Sequence, residues 1–273
     1  MNENYDKVSF YIVPHADDWQ LFMQPNARND LIDAASKIIF ILTTAGDAGS
    51  NEKFWRAREE GMKSSIRFCL APLFDILESQ GTTSFNTHLI RYWSCNNVTC
   101  YFMCLPDGGL DGKGFFVSFY QSLTKCKGDC MNSINTVDHS TTYLNWADFY
   151  TTLNAIILAE KGGISNALIN YLNPDDNENP GDHADHIATG QAIQATPVIS
   201  EIPQLLFNGY SSQDSGQHLN ETDFFWKTAM LAAYEKAVFD CSGYSTLKES
   251  INTYMAWCRA AASFKKVSAL HPV

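Results

Sequence analysis

The chain lacks any apolar stretch approaching the roughly 18 residues of a membrane-spanning helix, so no membrane span is expected. It also has little charge. Asp, Glu, Lys and Arg make up 18% of 273 residues, and the 30 acidic against 19 basic residues leave a formal net charge of −11. No basic run and no interleaving of basic with aromatic residues is present. Such a surface repels phosphate backbones and anionic lipid, which argues against nucleic acid and membrane surfaces as partners. There is no Gly-x-Ser-x-Gly elbow, so serine hydrolysis has no support. Gly46-Asp-Ala-Gly49-Ser50 has the small residues of an anion-cradling loop but no P-loop lysine, and it reads as a plain turn. Met1 to Lys7 is polar and lacks the basic start of a signal peptide. The apolar run that follows is too short for its core, so a cytoplasmic location is expected.

What is present is enough apolar material, 45% hydrophobic and 13% aromatic, to bury one large core across residues 1–273. Of eight cysteines, Cys69, Cys95, Cys104, Cys241 and Cys258 sit among apolar residues and read as small core side chains. Cys126-Lys-Gly-Asp-Cys130 lies in a polar stretch and matches no zinc pattern well. Thiols are the expectation there, with a disulfide or half of a metal site as the alternatives.

Apolar runs at Val8–Val13 and Lys37–Thr43 read as buried parallel strands. Further strands are expected at Phe85–Trp93, Val98–Leu105, Asn166–Leu172 and Gln204–Tyr210. Helices are expected at Asn51–Cys69, Asn145–Lys161, 183–199, Thr222–Val238 and Thr246–Lys265. The alternation predicts an α/β fold, Rossmann-like, with a mostly parallel sheet and helices on both faces. Residues 113–142 read as a surface excursion or as an insertion over the site, and 222–265 as closing helices. The loops following Val13, Thr43 and Leu172 should open on one sheet edge, where ligands bind in such folds.

Two of those loops carry chemistry. Pro14-His15-Ala16-Asp17-Asp18 follows the first strand, and His183-Ala184-Asp185-His186 stands where a later helix begins. His15 and Asp18 are three apart and can converge on one cation, leaving Asp17 to take a proton from an activated water. An Asx turn with a buried histidine is the competing reading. His183 and His186 share a helix face at i, i+3. One can be a third ligand and the other can support an oxyanion or protonate a leaving amine, with Asp185 orienting an imidazole. Helix capping after an acidic loop (Asp175, Asp176, Glu178) is the alternative.

These motifs resemble those of the PIG-L/LmbE-type zinc-dependent N-acetylglucosamine de-N-acetylases, which carry a Pro/Ala-His-Pro-Asp-Asp-Glu motif and a later His-Pro-Asp-His motif. Leu42-Thr-Thr-Ala-Gly-Asp-Ala-Gly49, Arg58-Glu59 and Leu105-Pro-Asp-Gly108 resemble further landmarks, so the similarity spans about residues 8 to 210. The resemblance implies a zinc deacetylase acting on a small N-acetylated amino sugar or its conjugate. His15, Asp18 and His186 would be the zinc ligands and Asp17 the general base. His183 would stabilise the tetrahedral intermediate or act as acid, with Asp185 behind it, and Arg58 would bind substrate. Arg58 read by itself could equally form a helix-surface ion pair. Iron(II), manganese or cobalt suit the same ligands. Ala16 and Ala184 replace prolines, and Trp19 replaces an acidic residue. Trp19 could stack on a sugar ring or pack against the sheet edge. It motivates the alternative of a non-catalytic sugar-binding homologue; a metal hydrolase of a different amide or ester is the third reading.

Overall fold

The computed structural model describes residues 5–128, 132–248 and 250–269. The two richest β-branched and aromatic runs become neighbouring parallel strands, β1 (Lys7–Val13) and β2 (Ser36–Thr44), joined through short helices α1 (Asp18–Phe22) and α2 (Asn26–Leu31). Helix α3 (Glu52–Leu70) starts where the Asn51 side chain accepts the Phe54 N–H. An antiparallel meander follows: β3 (Glu78–Phe85), β4 (His88–Cys95) and β5 (Val98–Leu105). Then come α4 (Leu123–Gly128), the small hairpin β6 (Ile134–Asn135) and β7 (Thr142–Tyr143), and α5 (Trp146–Lys161). The chain continues through β8 (Asn166–Leu172), α6 (Ala184–Gln194), β9 (Gln204–Phe207), α7 (Glu221–Ser242), α8 (Ile251–Arg259) and β10 (Phe264–Val267).

The eight-stranded sheet runs β10-β9-β8-β1-β2-β5-β4-β3, with the β9, β8, β1, β2 and β5 pairings parallel. The chain leaves β1 for β2 on one side and returns much later to β8 on the other. The crevice beyond the carboxyl ends of β1 and β8 is therefore a topological switch point. This places the loops after Val13 and Leu172 side by side.

Alternation along the central strands feeds two cores. Tyr11, Val13, Ile38, Phe40 and Leu42 face α3, α7 and α8, while Val8, Phe10, Ile12, Ile39 and Ile41 face α5 and α6. A run buried on both faces must be apolar throughout, which explains why these strands were legible. Helices α3 and α7 pack closely at Gly61, where a Cβ would lie 2.6 Å from the Tyr234 ring.

Several expectations are corrected. The strand expected at 85–93 is two strands, because a turn at Asn86 and Thr87, both at positive φ, reverses the chain. The helix expected at 183–199 ends at Gln194, before a 3-10 turn over Pro197–Glu201, and the strand at 204–210 stops at Phe207. The helix expected over 246–265 is the shorter α8 followed by β10, which pairs antiparallel with β9. Segment 113–142 is not merely a surface excursion: Leu123, Cys126 and Ile134 are buried in the α5–α6 core, while Phe116 and Phe119 are exposed. Cys241 is exposed rather than in the core. Cys126 is a buried free thiol, whereas Cys130 lies outside the described residues. No helix among the described residues is long and apolar enough to cross a membrane.

Candidate metal centre

β1 delivers His15 and Asp18 to the crevice, and α6 delivers His186. The turn after Pro14 is closed by the His15 N–H donating to Asp18 Oδ2 at 2.8 Å. His186 Nε2 lies 3.1 Å from Asp18 Oδ1, and His15 Nδ1 lies 3.3 Å from Asp18 Oδ2. Ligand atoms of the three buried residues all fall within 4.8 Å of one another.

The hydrogen bonding around His186 shows what this arrangement needs. Its Nδ1 stands 2.8 Å from Asp182 Oδ1, and the Nδ1–H donates a hydrogen bond to that carboxylate. In the neutral ring, Nε2 then carries only a lone pair, directed at a carboxylate oxygen. Two acceptors face each other in a buried site, and either a proton or a cation must lie between them. Burial alone would lower the His186 pKa, but Asp182 and Asp18 push it up to about 9. Asp18 shows the converse: burial would raise its pKa, but His186 and His15 hold it well below the carboxylate range. Two imidazoles and a carboxylate, converging in the absence of sulfur, form a donor set that fits a divalent metal ion.

His186 and His15 each have a further carboxylate beside the ring, the kind of partner that orients a metal-bound histidine. Asp182 serves His186. It is itself fixed by the Asn179 side chain at 2.6 Å and the Tyr210 N–H at 3.1 Å. Asp185 Oδ2 lies 3.5 Å from His15 Nε2 and accepts the Gly108 N–H at 2.8 Å. The structure thus places Asp185 beside His15, whereas His183 Nδ1 is 3.9 Å away from it. The expected pairing of Asp185 with His183 is corrected accordingly. His15 Nε2 and Asp185 Oδ1 are buried without hydrogen-bond partners, and a second donor group (His15, Asp107, His183, Asp185) adjoins the first.

His183 caps α6, its Nδ1 accepting the Asp185 N–H at 3.1 Å. Its Nε2 therefore holds the proton in the neutral ring and points toward Asp107 Oδ1, 3.9 Å away. Burial and the neighbouring His15 and His186 lower its pKa to about 3.

Asp17 is not free. Arg58 donates to its Oδ1 at 2.5 Å and the Tyr254 hydroxyl donates to Oδ2 at 3.0 Å. Arg58 is buried, so the helix-surface ion pair is corrected. Its remaining donors go to Gly46 O at 2.7 Å and Tyr234 Oη at 2.9 Å. Gly46, at φ +58°, admits no side chain here, because a Cβ would sit 2.5 Å from Arg58 Nη1.

Trp19 is fully buried, packed on Phe40 with ring centroids 5.0 Å apart. It does not line the cavity, so the expectation that it stacks on a substrate is overturned. Its place one step past Asp18 on α1 turns it into the core.

The cavity over these groups has a volume of about 150 Å³. His15, Asp17, Asp18, Arg58, Asp107 and His183 form its polar side, and Leu21, Phe22, Tyr210, Tyr254 and Trp257 its apolar side. Tyr210 and Trp257 stack at 4.7 Å. Sequence reasoning missed Asp182, Tyr210, Tyr254 and Trp257. Asp182 was findable, since it stands four residues before His186 at the start of the same helix. The aromatic residues carry no local signal.

No protein-family model matches the sequence, and no curated protein matches it. Among solved structures, the fold is similar to teicoplanin deacetylase Orf2. Its zinc-inhibited form has a TM-score of 0.41 and 14% identity over 85% of this chain and 84% of that one. The deacetylase-bog complex from the teicoplanin biosynthesis pathway gives 0.44 and 14% over 91% and 89%. GalB, the 4-carboxy-2-hydroxymuconate hydratase from Pseudomonas putida KT2440, gives 0.41 and 8% over 98% of each chain. Two such different activities at like scores leave the chemistry to be argued from the side chains.

Proposed function

We propose that this chain is a metal-dependent amide hydrolase of the PIG-L/LmbE type, cleaving the N-acyl group from an amino sugar or its conjugate. The observation that carries the reading is the meeting of His15 and Asp18 with His186 beside Asp17, at the switch point of the sheet. Zinc is the proposed ion, and iron(II) suits the same donors. His15, Asp18 and His186 would hold it. When bound there, such an ion polarises the amide carbonyl and acidifies water.

The remaining work falls to the protein. Asp17 takes the proton from the attacking water, and Arg58, which also lines the cavity, holds that carboxylate in place. His183 presents its Nε2–H to the oxygen that gains charge as the carbonyl carbon becomes tetrahedral. Asp182 and Asp185 keep the two ligand imidazoles in register. Asp17 then returns the proton to the departing nitrogen, and the carboxyl proton follows to the freed amine, giving an ammonium and a carboxylate. The alternative of a sugar-binding homologue drew on Trp19, and its burial removes that support.

The test combines metal analysis with amine release from N-acetylglucosamine derivatives. Wild type should carry about one divalent ion per chain and release amine, and His186→Ala should lose both. A metal-free, inactive wild type or a mutant of equal activity would falsify the proposal.

A further inference from the structure

The cavity over the candidate metal centre is poor in free side-chain hydrogen-bond donors. Asp17, Asp18 and Asp107 line it and, as carboxylates, only accept. His15 stands between two carboxylates, Asp18 at 3.3 Å and Asp185 at 3.5 Å. All three guanidinium nitrogens of Arg58 are engaged, by Tyr234, Gly46 O and Asp17. The Tyr254 hydroxyl donates to Asp17, and the Trp257 indole N–H donates to Tyr210 O at 3.2 Å. Two donors remain among the described residues that line the space. One is the Nε2–H of His183. The other is the hydroxyl of Tyr210, which makes no hydrogen bond with any described residue. Its oxygen is not one of the sealed polar atoms without a partner, so it opens on the cavity that Tyr210 lines.

The rest of Tyr210 is held firmly. It opens a 3-10 turn, Tyr210–Asp214, shortly after β9. Its N–H donates to Asp182 Oδ1 at 3.1 Å, its carbonyl accepts from the Trp257 indole, and its ring stacks on that indole. Its ring centroid lies 5.3 Å from that of His186 and 6.3 Å from that of His183. Burial and the carboxylates of Asp18, Asp17 and Asp182 push its pKa above the ordinary tyrosine value, so the group stays an O–H. A donor that fixed contacts position and no acceptor uses is preorganised for charge that develops only during reaction. We propose that the Tyr210 hydroxyl is a second donor, beside His183 Nε2–H, to the carbonyl oxygen as it gains charge in amide cleavage. The proposal rests on the hydrolase reading above. An oxygen that becomes anionic beside Asp17, Asp18 and Asp107 meets an unfavourable field, and a second donor offsets it. Tyr210 keeps its proton throughout. The water oxygen bonds to the acyl carbon, the C–N bond breaks, and the hydroxyl only strengthens its hydrogen bond in between.

Tyr210→Phe removes the oxygen alone and keeps the stacked ring and the backbone bonds to Asp182 and Trp257. The substrate used is the methyl glycoside of N-acetylglucosamine. The probe of the charged intermediate is its methylphosphonamide analogue, tetrahedral at phosphorus where the acetyl carbon is planar. Metal content and thermal midpoint of the variant should match wild type. Its kcat should fall by about 100-fold to 1,000-fold, with KM changed by no more than about threefold. Affinity for the analogue, read by calorimetry on the metal-loaded protein, should fall by a similar factor. A higher KM at constant kcat places the hydroxyl on the unreacted substrate and overturns the proposal. Loss of metal does so too, since the role would then be structural. Wild-type turnover matched by Tyr210→Phe keeps the hydrolase reading and removes the donor. A wild type that releases no amine sinks the hydrolase reading. Weaker analogue binding by Tyr210→Phe would then still support the donor, and equal binding would overturn it.

Discussion

The two walls of the cavity differ in how the chain encodes them. The polar wall comes mainly from short contiguous motifs, residues 14–18 and 183–186, held at the ends of the paired strands β1 and β8, with Arg58 from α3 and Asp107 from the turn after β5. The apolar wall comes from Leu21 and Phe22 on α1 and from Tyr210, Tyr254 and Trp257, and these last three belong to no motif of the polar wall and meet through packing. Chemistry that needs fixed distances among three or four polar atoms is written compactly. The tyrosines and the tryptophan of the other wall stand on α8 and on the turn after β9. The predictions below set one wall against the other.

The largest effect is expected from His186→Ala. Removing one of three ligands should leave no stoichiometric metal by elemental analysis and no measurable turnover. Asp17→Asn separates base from ligand: metal content should stay at the wild-type level while kcat falls by about 100-fold to 10,000-fold. Asp182→Asn keeps the shape but weakens the acceptor behind His186. Metal affinity, measured by competition with a chelator, should drop about 10-fold to 100-fold. On the apolar wall, Tyr254→Phe removes one charge-assisted hydrogen bond to the Asp17 carboxylate, and kcat should fall by about 10-fold to 100-fold. If Tyr254→Phe proved as damaging as Asp17→Asn, the division between walls would collapse.

The smallest effect concerns what pins α8. Lys227 is buried and donates to Trp257 O at 2.6 Å and Ala260 O at 3.0 Å. Burial pushes its pKa down to about 8. The folded chain then releases this proton before the unfolded chain does, so unfolding takes up a proton between about pH 8 and the ordinary lysine range near 10.4. Stability should rise across that window, and the rise should be missing from chemical denaturation curves of Lys227→Met.

The polar wall and the central strands were legible from residue order for one physical reason. A strand buried on both faces has no freedom of composition, and β1 and β2 are apolar almost throughout. The edges were not. β3 is polar and largely exposed, held by pairing with β4 rather than by burial. β10, Phe-Lys-Lys-Val, is a charged edge strand whose pattern passes equally for the end of a helix. Trp19 misled because a tryptophan beside a ligand invites a role in the site, whereas helical geometry turns it toward Phe40. Arg58 was found by position, but its burial against Asp17 and Tyr234 depends on α7, far along the chain.

The most direct test of the central claim is X-ray absorption at the metal edge of the purified protein and of its His186→Ala variant. Two imidazole nitrogens and carboxylate oxygen, with one imidazole lost in the variant, is the predicted coordination. A sulfur-ligated metal, or a coordination shell unchanged by the substitution, would contradict the account.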